Sequence, residues 1–316
     1  MIEHFVDLEG PSCFGRFARP ETVGLVLSHI KPTVRESVRM SVLHSSRRVG
    51  RPWHELTAVW DIRYGGQCKA PQGGTRLVFC APTLASAAPS LFEQGQLFDD
   101  GPDRDDTGFD LFGHVLADVG GMKRESERFD ANLLASVARF SVPLKKGLDC
   151  IWMRGHRLGR MDPPPIDRKL TDAATALVQE TPKPQRARVA GRLNMIRISD
   201  RAFELLLTDG QAIRAVWTQP SVVPLRDYLD REVVIEGQAV FRASGSVLRI
   251  DAEAIADAGE RDRFFSKLPK AAVGMRKQLE NAAVPTRGQS GFASIYGQWP
   301  GDETEEELLA ALEEIS

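Results

Sequence analysis

The side chains able to do chemistry are scattered along this chain. Its six histidines (His4, His29, His44, His54, His114, His156) form no HxH, HxxxH or HExxH arrangement that would put two imidazoles on one metal ion. His114 falls inside a helical pattern and reads as a satisfied helix residue. His54-Glu55 is a neighbour pair too common to define a catalytic dyad. The four cysteines (Cys13, Cys68, Cys80, Cys150) lie far apart, without CxxC or an identifiable base, and read as reduced, buried thiols of a cytoplasmic protein. There is no GxGxxG, no P-loop and no GxSxG elbow. Residues 99–107 (DDGPDRDDT) concentrate acids but lack the ordered ligands and closing glutamate of a calcium loop, so a solvated loop is expected. The expectation is therefore no catalytic residue, no metal and no cofactor. An active site assembled only in space stays open for residues 1–165.

Two basic groups could meet phosphate. Arg47, Arg48 and Arg51 cluster in SSRRVGR, which also fits a solvated loop. Arg192, Arg197 and Arg214, with Trp217, fall on strand-like segments further on. Basic residues beside stacking aromatics are what a single-strand binding surface needs.

The elements that must position these residues follow from composition and pattern. A chain of 316 residues with 42% hydrophobic and 27% charged residues can bury two cores, or three small ones. No apolar run approaches the roughly 18 residues of a membrane span. The acidic start MIEHFVDLEG is not a signal peptide. Residues 1–165 read as a mixed α+β domain. An apolar run over 21–30 should stop at Lys31-Pro32. Strands are expected over 37–43, 56–64 and 75–80, the last two joined as a hairpin between glycine pairs 65–66 and 73–74. Helices are expected over 84–92, 109–119 and 129–140, and a strand over 148–153. MDPPP (161–165) then reads as a boundary, and 166–185 as a linker with a short helix.

Residues 186–256 carry the clearest pattern. Strands are expected over 188–198, 202–208 and 212–217, with Asp209-Gly210 turning the second hairpin. A short helix over 223–229 and strands over 232–241 and 247–255 follow. The order strand-strand-strand-helix-strand-strand resembles an OB-fold, a small five-stranded barrel, with Gly191 and Gly237 where strands would bend. Such barrels commonly bind single-stranded nucleic acid, and many bind protein or are structural. Phe203 shares a strand face with Leu205 and Leu207 and is expected in the core.

Net charge is −2, but it is unevenly divided. The last sixteen residues hold seven acids and no base, so the remainder carries 41 bases against 36 acids. After a charged, partly helical connector over 257–290, an aromatic lead (Phe292, Ile295, Tyr296, Trp299) meets Pro300-Gly301 and an acidic helical pattern. Thr304 and Glu307 are spaced as a capping box, and acids in the first turn suit the positive helix end. Leu308, Leu309, Leu312 and Ile315 make one apolar stripe. A helix of about 12 residues is marginal alone in water and would gain by laying this stripe in a groove, either a partner's or its own protein's.

The run GQWPGDETEEE with its leucine-bearing end resembles the toxin-neutralising tails of bacterial type II antitoxins. The resemblance covers about the last 25 residues. It implies a protein toxin as partner, of PIN-type nuclease class, with Phe292, Ile295, Tyr296, Trp299, Leu308, Leu309, Leu312 and Ile315 as contacts. Asp302, Glu303 and Glu306 would face basic or metal-binding positions. Residues 1–165 resemble none of the DNA-binding modules that open typical antitoxins. The expected whole is an N-terminal α+β domain, an OB-like barrel and a C-terminal helical arm. A nucleic-acid-binding barrel with the acidic tail as its lid is the alternative.

Overall fold

The computed structural model of the chain describes residues 1–47, 54–92, 101–197, 202–219 and 225–271. The N-terminal part opens with β1 (Ile2–Glu9) and a small hairpin, β2 (Cys13–Phe14) and β3 (Phe17–Ala18). There follow α1 (Pro20–Leu43), α2 (His54–Val59), β4 (Arg63–Lys69), β5 (Thr75–Ala81), α3 (Leu84–Ala87), α4 (Gly108–Gly120), α5 (Ala131–Ala138), α6 (Ser141–Lys145), β6 (Cys150–Gly155), α7 (Leu158–Met161) and α8 (Arg168–Glu180).

β4, β5, β1 and β6 form one antiparallel sheet in that order. Strand alternation sends Val6, Leu8, Leu77, Phe79, Ile151 and Met153 into one core with Val26, Ile30, Phe109, Phe112, Leu133 and Phe140 of the helices. On the other face, buried Asp7 takes a bidentate pair from Arg76 at 2.6 and 2.7 Å, with Arg154 at 3.7 Å.

The barrel comprises β7 (Gln185–Arg197), β8 (Ala202–Leu206), β9 (Ala212–Trp217), β10 (Glu232–Phe241) and β11 (Val247–Asp257), closed in the order β7-β8-β9-β11-β10. β9 and β11 pair in parallel, and β10 closes on β7 antiparallel. A 3-10 turn over Leu225–Tyr228 precedes β10. This is the OB-like barrel that the sequence pattern implies. Its interior holds Val189, Leu193, Phe203, Leu205, Trp217, Ile235 and Ile250. Gly237 sits at a bulge of β10, where an added Cβ would lie 2.1 Å from the Asp251 carbonyl oxygen; no side chain fits there.

Barrel and sheet domain share packing, and residues 1–271 form one compact unit. Val240, Ala243 and Leu248 of the barrel side join the core of the N-terminal helices. Arg249, fully enclosed, reaches Asp130 at 3.4 Å, the Ser45 hydroxyl at 3.2 Å and Asp251 at 2.7 Å. Asp130 also caps α5 through the Leu133 amide and accepts from the Ser46 hydroxyl.

Several expectations are corrected. Residues 37–43 are helical, and α1 runs through Pro32. Val26, Ile30, Val34, Val38 and Val42 recur every fourth residue and are all buried, so one continuous apolar stripe outweighs the hydrogen bond that proline removes. Residues 56–64 divide between α2 and the start of β4, and Gly65-Gly66 lies within β4 at a bulge. β1 was not anticipated. The stretch 166–185 is no tether over its helical part, because α8 buries Leu170, Ala174 and Leu177 in the N-terminal core. Of the short helix expected over 223–229, Leu225–Tyr228 form a 3-10 turn, and residues 223–224 lie outside the described residues. The segment 272–316, including the helical arm, lies outside the described residues. All four cysteines are free. Among the described residues no helix is long and apolar enough to cross a membrane.

Arg249→Ala would leave Asp130 ionised, enclosed and short of its cationic partner. The expected cost is about 3–5 kcal/mol of unfolding free energy, read as a lower urea midpoint, with the α5 region and the barrel weakened together.

Candidate functional site

Polar groups converge at the N-terminal end of α4. Thr107 caps this helix in a full capping box: its hydroxyl receives the Asp110 amide, and Asp110 receives the Thr107 amide at 2.9 Å. Two histidines distant in sequence join the cap. His4 on β1 pairs in register with Gly155 at the end of β6, which carries His156 to the same place. Gly155 and His156 both take the left-handed backbone, with φ of +109° and +34°. For a histidine that is a strained position held by its surroundings.

The hydrogen bonds link these groups into one chain. Asp110 Oδ2 accepts from the Thr107 hydroxyl at 2.8 Å and from His156 Nδ1 at 2.9 Å. With its proton committed to Asp110, Thr107 Oγ1 accepts from His4 Nε2 at 3.0 Å. His4 Nδ1 is then a bare lone pair, and it has no partner, like Asp110 Oδ1. His4 is fully enclosed and stacks on Phe109 at 4.7 Å. Burial, against the pull of Asp110, lowers its pKa to about 4. His156 is different: its side chain keeps 23% exposure while Asp110 keeps none.

α4 continues this chemistry into a groove of about 1060 Å³ between α1, α4, the loops over 101–106 and 122–128, and Arg214 of β9. Met40, Leu111, Val115 and Met122 supply apolar lining; the polar lining includes Asp103, Asp106, His114 and Asp118 together with Lys123, Arg124, Arg128 and Arg214. Asp106, Asp110, His114 and Asp118 recur every fourth residue, which puts them on one stripe of α4 and its cap. Arg157 gathers Asp103 at 2.7 Å, Asp106 at 3.0 Å and Asp105 at 3.5 Å. Burial raises the Asp106 carboxyl in spite of that arginine. Burial, helped by the charge of Arg128, lowers His114, which has no hydrogen-bond partner among the described residues. Asp118 is settled: burial opposes its ionisation, but Lys123, Ser126 and Arg128 outweigh it and hold the carboxyl below its usual range. Among the described residues no group of three or more His, Cys, Asp or Glu is placed to hold a metal ion.

The residues singled out from sequence go elsewhere. Trp217 is enclosed in the barrel core. Arg214 faces the sheet domain, donating to His44 Nδ1 at 3.2 Å and pairing with Glu127 at 3.4 Å, where Arg242 also pairs at 2.6 Å. Arg192 is exposed on β7 and Arg197 ends that strand. Arg47 pairs with Glu36 at 3.4 Å; Arg48 and Arg51 lie outside the described residues. Arg214 and Trp217 therefore do not form one stacking surface: turning Trp217 outward would empty the barrel. The residues from Phe292 to Ile315 expected to contact a partner also lie outside the described residues. The sequence reading missed His4, Asp110 and His156. Only Asp110 carries a sequence signal, the four-residue spacing D106, D110, H114, D118; His4 and His156 meet through the pairing of β1 with β6.

No protein-family model matches the chain, and no curated protein or solved structure matches it.

The enclosed His4 makes stability depend on pH. Its folded pKa is depressed from 6.5 to about 4, so the unfolded chain binds the proton more readily in that window. The contribution is complete above pH 6.5 and is lost as pH falls towards 4, on the order of 3 kcal/mol. His4→Gln should flatten this part of the slope in urea unfolding series recorded between pH 7 and 4.

Proposed function

We propose that the chain is an interaction protein of antitoxin type, which binds and neutralises a partner toxin through residues 291–316. The observation that carries this reading is the layout of that segment: an aromatic lead ending at Trp299, a Pro-Gly break, a capping-box pair at Thr304 and Glu307, and seven acids without a base. The resemblance to antitoxin tails makes a basic nuclease of PIN type the partner class. Trp299 would serve as anchor and Leu308, Leu309 and Leu312 as groove contacts, while Asp302, Glu303 and Glu306 meet its basic residues. Residues 1–271 supply a self-contained scaffold with its own cores. The nucleic-acid alternative draws no support from Trp217, which fills the barrel, or from Arg214, which is paired within the chain.

Trp299→Ala in the full chain should weaken capture of the co-purifying partner by about 30-fold or more, as expected for a buried aromatic anchor. Leu308→Asp with Leu312→Asp should do the same, and thermal unfolding of residues 1–271 should be unmoved by either. Undiminished affinity in both variants, measured by titration calorimetry, contradicts the reading.

A further inference from the structure

Of the groups that the proposed function leaves unused, the cap of α4 is arranged most like machinery. Asp110 is wholly enclosed and holds His156 by Nδ1 at 2.9 Å. A carboxylate that accepts at Nδ1 fixes the tautomer and leaves Nε2 as the lone pair. Nδ1 faces the enclosed carboxylate, Nε2 has no hydrogen-bond partner among the described residues, and about a quarter of the side chain is open to solvent. The left-handed turn at Gly155 and His156 holds the ring there, and the His4–Thr107–Asp110 chain behind it locks the carboxylate. A bracing histidine would satisfy the cap equally well from inside the core. This one is mounted on a strained turn with part of its side chain exposed and Nε2 unpartnered among the described residues.

We propose that His156 is the general base of a hydrolytic site for uncharged acyl esters, with Asp110 as its positioning residue. No hydroxyl or thiol of the described residues hydrogen-bonds to the His156 ring, so the nucleophile is water. Nε2 takes a proton from water as its oxygen bonds to the acyl carbon. The tetrahedral intermediate then expels the alkoxide, which takes that proton back from Nε2, giving acid plus alcohol and an unchanged imidazole. Anionic substrates are disfavoured because Asp103, Asp105 and Asp106 share Arg157 beside this turn, and the surplus of carboxylates repels anions; an uncharged ester avoids that repulsion.

The test is hydrolysis of p-nitrophenyl acetate by the full chain between pH 5 and 9. The wild-type rate should exceed that of equimolar imidazole and rise with pH to a plateau. His156→Gln leaves the Thr107–Asp110 cap bonds in place and should lose about 100-fold or more. Asp110→Asn should lower kcat with KM unchanged, and His54→Gln, at an exposed helix start remote in sequence, should have no effect. Far-UV melting of each variant shows that it is folded. A wild-type rate no greater than that of His156→Gln, an equal loss in His54→Gln, or turnover of p-nitrophenyl phosphate in place of the ester overturns the assignment.

Discussion

The ion pair between Arg249 and Asp130 is the contact on which the described structure turns. Arg249 projects from β11 of the barrel, and Asp130 caps α5 of the sheet domain; both are removed from water. Enclosing two charges is costly unless their remaining hydrogen-bonding positions are filled. Here they are. Asp251 and the Ser45 hydroxyl take the rest of the guanidinium, while Ser46 and the Leu133 amide take the rest of the carboxylate. One pair thus ties together the end of α1, the start of α5 and β11 of the barrel. Arg214 and Arg242, converging on Glu127, continue the same join at the surface.

That join bears on function through what it uses up. An OB-like barrel invites comparison with nucleic-acid binders, whose basic residues and aromatics face outward. In this chain Phe203, Trp217 and Phe241 are enclosed, and Arg214, Arg242 and Arg249 are turned to acids of the neighbouring domain. The barrel's chemistry is largely spent on holding the unit together. The sequence feature left with the character of a binding element is the acidic, leucine-bearing segment 291–316. The polar chemistry of the N-terminal domain lies instead at α4, whose cap gathers His4 and His156 around Thr107 and Asp110 while His114 and Asp118 line the groove further along.

The barrel was legible because its signals are local. The Asp209-Gly210 turn, the alternation in 202–206 and the glycine at the β10 bulge each state their own geometry. The N-terminal domain was less so. Pro32 reads as a stop, yet the valine ladder from Val26 to Val42 carries the helix past it, because burial of five side chains exceeds the loss at one proline. β1 hides its alternation behind His4 and Asp7, polar residues enclosed on opposite faces of the strand. The α4 site escaped for a related reason: Asp106 falls in a loop and Asp110 in a helix, so their common stripe crosses the boundary at Thr107. His4 and His156 stand at opposite ends of the domain's sequence, and only the pairing of β1 with β6 brings them together.

We propose that binding resides in residues 291–316 rather than in the 271-residue unit. A synthetic peptide of residues 291–316 tests it most directly, added in increasing amount to the complex of full chain and partner on a surface that reports mass. The peptide should displace the full chain with an inhibition constant within about tenfold of the full chain's own affinity, the shortfall reflecting the cost of ordering a free segment. A peptide that leaves the complex intact at any concentration, while residues 1–271 alone retain the partner, would contradict it.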